Sequence, residues 1–377
     1  MSIGLVGSNT LGTTLALSVS KNNKLHIFDT TNKKLHKFIN NDGNTPFIAH
    51  ENMDTMIEKM EKPRTLISVS NHGGTMYDLS KILSENDTVL DFTNEHHLNS
   101  LKKDFLCRKN GIGYLGIGMS DESKAEPSVM VGGDLGTFET NVNFLKKISP
   151  NVVHVTENAG SGHFTKMVHD GIEHAMLQCL SDVFTYCNYN QSEFECMIYY
   201  AMQFSANGVI LRNTLNASRE YRLSLIFPET SIWCTEMSIE NCLFTPVINA
   251  AVLSGIYGKH AYDASFCNLK SAPVKEEIVA GTILFVYSSV LLEGCELLNS
   301  SGIPINRGKL AWKRGSNIEC DMLNFHNGEL EEIRTQNVCH ARKLLLGCVS
   351  QERSVPVVSA AVDSFDFQRC SGGFVNS

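Results

Sequence analysis

Short apolar runs separated by polar segments dominate the first 156 residues. The runs typical of buried strands lie at residues 2–7, 24–29, 65–70, 88–93, 113–119, 127–133 and 151–156. A helical pattern over residues 11–20 joins the first two runs, which predicts a βαβ unit. Helical segments between several later runs indicate an open, mostly parallel sheet.

After about residue 158 the hydrophobic period changes from that of strands to that of helices. The pattern predicts one long helix over residues 160–186 and further helices over 192–212, 244–255, 275–299 and 329–348. We therefore expect an α/β Rossmann-type N-terminal domain in residues 1–157 and an all-α C-terminal domain in residues 158–377. A cleft is expected between them, lined by the helix that opens the second domain.

Composition narrows the class of protein. The chain has 377 residues, of which 42% are hydrophobic and 19% are charged, as in ordinary globular proteins of two domains. Its net charge of −8 argues against a broad nucleic-acid-binding surface. The 12 cysteines form no CxxC pair and no pair with metal-ligand spacing, so we expect reduced thiols and no metal.

The chain shows no targeting or membrane signal. Its first residues carry no basic leader and are rich in glycine, which is unlike a signal or transit peptide. The most apolar stretch, residues 278–292, is too short to cross a bilayer and has glutamates on both sides. We expect a cytoplasmic protein without a membrane partner, in which this stretch is a buried core helix.

A glycine-containing turn follows the first predicted strand. Its sequence GSNTLG, residues 7–12, has the first and third glycines of the dinucleotide-binding fingerprint, but Asn9 takes the middle position. That position must be small because the pyrophosphate approaches the backbone there. Asp29 ends the second strand, where an acid can bond the ribose hydroxyls of NAD and repel the 2′-phosphate of NADP. Helix capping by Asp29 would explain the same residue.

The long predicted helix carries a second candidate site. Lys166, His169, Asp170 and Glu173 stand at i, i+3, i+4 and i+7, so their side chains share one helix face. A lysine, an imidazole and two carboxylates on one face can pass protons. A solvent-exposed face with intrahelical ion pairs has the same spacing, and the pattern alone leaves both interpretations open.

Segments along the whole chain resemble 6-phosphogluconate dehydrogenases. GSGHFTKMVHDGIEHAMLQ, which begins at residue 160, is similar to the family signature GAGHFVKMVHNGIEYGDMQ. The other similar segments, in the family's order, are KPR at 62–64, D-x-x-N at 91–94, G-x-G-x-S at 116–120, PSVMVGG at 127–133, LAWKRGSNIE at 310–319 and SVPVVSAAVDSFDFQR at 354–369.

The resemblance implies an activity and residue roles. Family members oxidise the C3 hydroxyl of 6-phosphogluconate with NADP and release carbon dioxide to give ribulose 5-phosphate. The family's general base and general acid correspond to Lys166 and Glu173. Substrate-binding positions correspond to Asn94, Ser120, His169, Asp170 and His174. The cofactor-binding residues implied by the turn and the resemblance are Gly7, Asn9, Thr10, Leu11, Gly12, Asp29, Thr30, Ser70 and Asn94. The resemblance also implies a homodimer.

The departures from the family cluster on substrate binding. Asp170 stands where the family has asparagine, which adds a negative charge near a polyanionic substrate. His174 replaces a tyrosine that helps to hold the substrate phosphate, and Asp121-Glu122 replace a Gly-Gly pair. The family's phosphate-binding lysine and arginine align with Ile239 and Phe266. We also expect that the family's C-terminal tail, which enters the neighbouring subunit's site, is missing.

These departures leave three interpretations. The first is an oxidoreductase that acts on 6-phosphogluconate or a related sugar acid with impaired activity. The second is a catalytically inactive descendant that acts as a binding or interaction protein. The third is an NAD-dependent 3-hydroxyacid dehydrogenase for a smaller, unphosphorylated acid. Because Asp29 is followed by Thr30 where the family has its NADP-selective arginine, we expect NAD to be favoured over NADP.

Overall fold

The fold is described from a computed structural model. It describes residues 2–7, 10–20, 24–29, 47–69, 79–120, 126–187, 190–204, 208–218, 230–258 and 275–371. The chain divides into two compact units, Met1–Lys166 with Asn306–Ser316, and Met167–Ile305 with Asn317–Ser377.

The first unit is built on one sheet of eight strands in the order β3-β2-β1-β4-β5-β6-β7-β8. The strands are β1 Ser2–Val6, β2 Leu25–Phe28, β3 Phe47–Ala49, β4 Arg64–Ser68, β5 Thr88–Asp91, β6 Gly113–Met119, β7 Val129–Gly133 and β8 Val152–Thr156. All pairs are parallel except β6 with β7. Every predicted strand is present. Strand β3 was not predicted, because it has three residues and two of them are exposed at the sheet edge.

Helices cover both faces of this sheet, as a parallel sheet requires. The described helices of this part of the chain are α1 Thr10–Ser20, α2 Met53–Lys59, α3 His97–Lys109 and α4 Leu135–Ile148. On one face Leu5 packs with Leu15 of α1 and Leu145 of α4. On the other face Val6 packs in a cluster with Met56 of α2. Successive strand residues point to opposite faces, which divides the core into these two layers.

The described part of the second unit is helical, apart from one isolated β-bridge. Its long first helix begins in the first unit. The described helices from there on are α5 Ser161–Tyr186, α6 Gln191–Ala201, α7 Val209–Ser218, α8 Thr230–Glu240, α9 Pro246–Gly258, α10 Glu276–Ser300, α11 Ile305–Trp312, α12 Asn327–Val349 and α13 Pro356–Ser371, with a 3₁₀ turn at Asp321–Asn324. An α/β Rossmann-type N-terminal region followed by helices confirms the predicted fold class.

One predicted helix is wrong. The pattern over residues 192–212 is helical in period, yet the structure ends α6 at Ala201 and starts α7 at Val209. Gly208, between them, pairs as a β-bridge with Cys320, and the N–H of Val209 donates to the carbonyl of Glu319. A tertiary backbone contact therefore interrupts a pattern that local periodicity alone continues.

The same capping arrangement occurs twice in the helical unit. Asp182 of α5 is 1% exposed and accepts the backbone N–H groups of the two residues after Pro356, at the start of α13. Glu293 of α10 is 7% exposed and accepts those of the two residues after Pro246, at the start of α9. Burial raises the pKa of Asp182 to about 7 and that of Glu293 to about 8. Each carboxyl satisfies two otherwise unpaired donors of a helix N-terminus.

Helix α10 contains the most apolar stretch of the chain. Among the described residues, it is the one helix that is long and apolar enough to cross a membrane by length and composition. Most of its apolar window, 83%, is buried inside the protein. The predicted buried core helix is confirmed, although the helix is longer than the apolar stretch that predicted it.

Candidate functional site

The glycine turn lies between β1 and α1, as the fingerprint requires. Gly7 has φ of 106°, a left-handed conformation that favours glycine. Its N–H donates to the carbonyl of Phe28 over 2.9 Å. A Cβ on Gly12 would lie 2.7 Å from the carbonyl oxygen of Gly7, so the first and third glycines allow the helix to start close to the strand. Leu11 is buried in the core, and Asn9 lies outside the described residues.

Asp29 lies at the same sheet edge as this turn. Strands β1 and β2 are parallel and Val6 is in register with Phe28, so Gly7 and Asp29 follow neighbouring strand ends. Asp29 is 6% exposed. This is the arrangement in which an acidic residue meets the ribose of a dinucleotide bound over the turn. Thr10 begins α1, whereas Thr30 and Ser70 lie outside the described residues.

A buried ion pair anchors the loop that carries Asn94. Asp91 is fully buried at the end of β5 and accepts bonds from Lys103 Nζ at 2.9 Å and from the hydroxyl of Tyr114 at 2.6 Å. Burial alone would raise the pKa of Asp91, but the ammonium of Lys103 holds it at about 2. Lys103 also pairs with Glu95 at 3.1 Å. Asn94, between these anchors, is exposed.

The G-x-G-x-S segment has a packing role in this structure. A Cβ on Gly116 would lie 2.2 Å from the carbonyl oxygen of Ala159, and one on Gly118 would lie 2.4 Å from Cβ of Lys166. Ser120 is buried; its hydroxyl donates to the carbonyl of Gly315 over 2.8 Å and accepts the N–H of Ser128. The glycines thus let α5 lie directly on β6 at the level of Lys166, which is partly exposed.

Helix α5 brings three of the predicted site residues together. His169 Nδ1 lies 3.1 Å from Asp170 Oδ1 and 3.7 Å from Glu173 Oε2. His169 and Asp170 are almost fully buried, and Asp170 also accepts the hydroxyl of Thr230. Among the described residues these three are the group that could hold a metal ion by donor type, with all donor atoms within 4.8 Å. One ring nitrogen of His169, Nδ1, therefore faces both carboxylates.

The carboxylate of Glu173 is fixed from outside its own helix. Asn317 Nδ2 donates to Glu173 Oε1 over 2.8 Å. The Glu173 side chain is 20% exposed, in contrast to the buried Asp170. Sequence reasoning missed Asn317, although it stands in LAWKRGSNIE, a segment that resembles the family. The contact joins residues 144 apart in sequence, which no local pattern reports.

The structure shows the surroundings of two residues that depart from the family pattern, His174 and Ile239. His174 is 1% exposed and its Nδ1 lies 3.3 Å from the hydroxyl of Ser231. Burial lowers the pKa of His174 to about 4, so the ring is neutral at pH 7. Ile239 is 70% exposed. Asp121-Glu122 and Phe266 lie outside the described residues.

Comparison with known proteins shows which proteins the chain resembles. The model of a family described as the NAD binding domain of 6-phosphogluconate dehydrogenase matches residues 2–156. A chloroplastic 6-phosphogluconate dehydrogenase from Spinacia oleracea is 25% identical over 85% of this chain and 70% of its own. An NAD(+)-dependent, decarboxylating 6-phosphogluconate dehydrogenase from Bacillus subtilis is 29% identical over 49% of this chain and 42% of its own.

Solved structures show the same fold. A 6-phosphogluconate dehydrogenase from Plasmodium falciparum superposes with a TM-score of 0.82 at 19% identity, over 97% of this chain and 92% of that one. A 3-hydroxyisobutyrate dehydrogenase from Mycobacterium tuberculosis gives a TM-score of 0.60 at 13% identity, over 75% and 98%. The sequence matches and the shared fold make residues 2–156 an NAD(P)-binding domain like that of 6-phosphogluconate dehydrogenases, and the chain as a whole is similar to that family.

Proposed function

We propose that the chain is a nicotinamide-dependent oxidoreductase that oxidises a hydroxy acid, with Lys166 as general base and Glu173 as general acid. The observation that carries this proposal is the fixed carboxylate of Glu173. Asn317 Nδ2 donates to one oxygen of Glu173 over 2.8 Å. Glu173 lies on the same unbroken helix as Lys166. A positioned base and a positioned acid are what proton transfer to and from a reacting carbinol requires.

The proposed chemistry divides between the chain and its cofactor. A bound nicotinamide would accept the hydride from the carbinol carbon. Lys166 would take the hydroxyl proton. With 6-phosphogluconate the oxidised product would lose carbon dioxide, and Glu173 would then give a proton to the resulting enediol carbon. We propose that His169, whose Nδ1 lies 3.7 Å from Glu173 Oε2, takes part in that proton transfer. The exposed Asn94 is proposed to help to hold the substrate, whereas the buried hydroxyl of Ser120 is already bonded to Gly315 and Ser128 and is assigned a packing role.

We propose that phosphate recognition is the part of the family function that this chain has lost. A neutral, buried His174 brings no positive charge to a phosphate. Asp170 adds a carboxylate next to Glu173, and Ile239 supplies no charge. A smaller, unphosphorylated 3-hydroxyacid is therefore the second candidate substrate. The fold-level likeness to 3-hydroxyisobutyrate dehydrogenase is compatible with it.

A substrate panel tests the proposed function. The full chain would be assayed for reduction of NAD and NADP with 6-phosphogluconate, gluconate and short 3-hydroxy acids across pH 6–10. For the accepted substrate, Lys166→Met and Glu173→Gln should each lower kcat by about a hundredfold or more. Asn317→Leu should lower kcat by about tenfold with little change in KM, because it misplaces the acid without touching the cofactor.

The control for Asn317→Leu is Asn337→Leu. The Asn337 amide is also partly buried, but it donates to a carbonyl within its own helix. This variant should leave kcat unchanged. Cofactor binding without turnover of any panel member would favour the catalytically inactive interpretation.

A further inference from the structure

A cavity of about 360 Å³ lies in the helical unit, apart from the residues assigned to catalysis. Helices α10, α12 and α13 form its walls, and Phe244, before α9, and Ile305, at the start of α11, complete them. Its volume is at the lower end of the range of small-molecule sites. It therefore suits a compact metabolite.

A buried arginine lines the cavity with donors that are poorly satisfied. Arg334 of α12 is 4% exposed. Its Nη1 donates to Gln368 over 2.8 Å, but its bonds to Glu331 are 3.3 and 3.4 Å and its bond to Ser364 is 3.4 Å. Its Nε is buried and has no hydrogen-bond partner among the described residues. Buried donors are nearly always paired, and a carboxylate is the acceptor whose geometry matches a guanidinium.

The same cavity holds more negative than positive charge. Glu293, Glu296 and Glu331 line it together with Arg334. Glu296 is exposed and has no hydrogen bond or ion pair with another described residue. Glu296 and Glu331 are two carboxylates beside one guanidinium and would repel a simple anion, so a ligand that brings a carboxylate to Arg334 must also bring a cation. A neighbouring cation would also favour the charged form of Glu293, whose pKa is about 8 because of burial.

The remaining wall is apolar. Phe244, Leu292 and Ile305 line the cavity beside the charged groups. Phe244 is itself held in place by stacking on Phe367, with ring centroids 5.5 Å apart. The cavity thus offers an apolar surface beside groups that can bind a carboxylate and an ammonium. Such a lining is expected around a zwitterion with an apolar substituent.

We propose that this cavity binds an α-amino acid with an apolar side chain. Arg334 receives its carboxylate, Glu296 receives its ammonium group, and Phe244 with Leu292 receives its side chain. The site does not depend on the catalytic activity proposed above. It would make the chain sensitive to the supply of such an amino acid.

Binding of whole amino acids and of blocked analogues to the full chain tests this proposal. Calorimetric titration with L-leucine, L-isoleucine, L-valine, L-methionine and L-phenylalanine should give saturable binding for at least one. The amide of that amino acid lacks the carboxylate, and its N-acetyl form lacks the ammonium. Each should bind at least about tenfold more weakly, as expected on loss of a charge-assisted bond. No binding by any of the five, or equal binding by the amide, would overturn the proposal.

Matched variants locate the site. Glu296→Gln should weaken binding at least about tenfold. Glu332→Gln, on the exposed part of α12 outside the cavity, should not change it. Arg334→Lys keeps the charge but loses the planar donor pair, and it too should weaken binding; its urea unfolding curve shows whether it is folded. Equal affinities for the Glu296→Gln and Glu332→Gln variants would place the ligand elsewhere and contradict the assignment.

Discussion

At the scale of single residues, environment decides what each side chain can do. His169, Asp170 and Glu173 were expected on one helix face, and the structure brings their donor atoms within 4.8 Å. Their burial could not be predicted, because the helix period does not say what packs over that face. Thr230 and Asn317 come from distant segments and determine where the two carboxylates are held. The spacing thus predicted the set of residues, and tertiary contacts set their chemistry.

His174 should make the protein sensitive to acid. Its pKa is about 4 in the folded chain, because burial disfavours the imidazolium, and the ordinary value is 6.5. Below pH 6.5 the unfolded chain therefore binds the proton better, and stability is lost as the pH falls. The contribution of His174 to this loss is expected to be roughly 2 kcal/mol between pH 7 and pH 5. Urea unfolding at both pH values measures it.

The control for this titration is an exposed histidine. His174→Gln should make the loss between pH 7 and pH 5 smaller by that amount. His326→Gln, at a ring that is 76% exposed, should leave the loss unchanged. An unchanged pH dependence in His174→Gln would contradict the assignment of this effect to His174.

Asp29 should set the cofactor preference. Because its carboxylate follows β2 beside the glycine turn, it can bond a ribose hydroxyl pair and repels a 2′-phosphate. We predict that NAD binds at least about tenfold more tightly than NADP, a difference of about 1.4 kcal/mol. Calorimetric titration with each cofactor measures it, and Asp29→Ser should narrow the ratio. Tighter binding of NADP than of NAD by the unmodified chain would refute the prediction.

At the scale of secondary-structure elements, the sequence predicted the strands that are continuous apolar runs and the helices whose apolar periodicity continues over many residues. Strand β3 and the break between α6 and α7 were not, because each depends on a partner elsewhere: β2 for the first and Cys320 for the second. The glycines of β6 show the opposite case. The sequence identified Gly116 and Gly118 only as part of a family motif. The structure explains why both are glycine: α5 packs so closely on β6 that a Cβ at either position would collide with it.

Gly118→Ala should destabilise the first unit. The new Cβ would lie 2.4 Å from Cβ of Lys166 and 2.6 Å from the carbonyl oxygen of Gly162, so α5 or β6 must move. The expected cost is about 3 kcal/mol. Urea unfolding measures it. Gly136→Ala is the control: at that exposed position in α4 the nearest atom is a side-chain oxygen at 3.3 Å, and stability should change by less than about 1 kcal/mol. Equal effects of the two substitutions would contradict the packing argument.

At the scale of the whole molecule, we propose residues 1–157 as the nucleotide-binding domain and 158–377 as the helical domain. The sequence predicted the two fold types from their hydrophobic periods. It did not predict that Asn306–Ser316 joins the first compact unit, because that return of the chain depends on long-range contacts. The Ser120 hydroxyl on Gly315 is one such contact.

At this scale we also predict that the chain associates with a second copy of itself. We propose a homodimer formed through the helical domain. Light scattering at micromolar protein should give a mass that rises with concentration toward twice that of the 41.7 kDa chain. A monomer at every concentration tested would refute this.

The most direct test of the proposed function is turnover of 6-phosphogluconate by the full chain, beside the Spinacia oleracea or Bacillus subtilis enzyme. We propose that the proton-transfer residues remain and that the residues that bind the substrate phosphate are lost. We therefore predict that kcat/KM with NAD and with NADP is at least about a thousandfold below the reference, a deficit of roughly 4 kcal/mol, in a sample that still binds NAD. Asp170→Asn alone should not restore turnover. A kcat/KM within tenfold of the reference with either cofactor would contradict the proposed loss of phosphate binding.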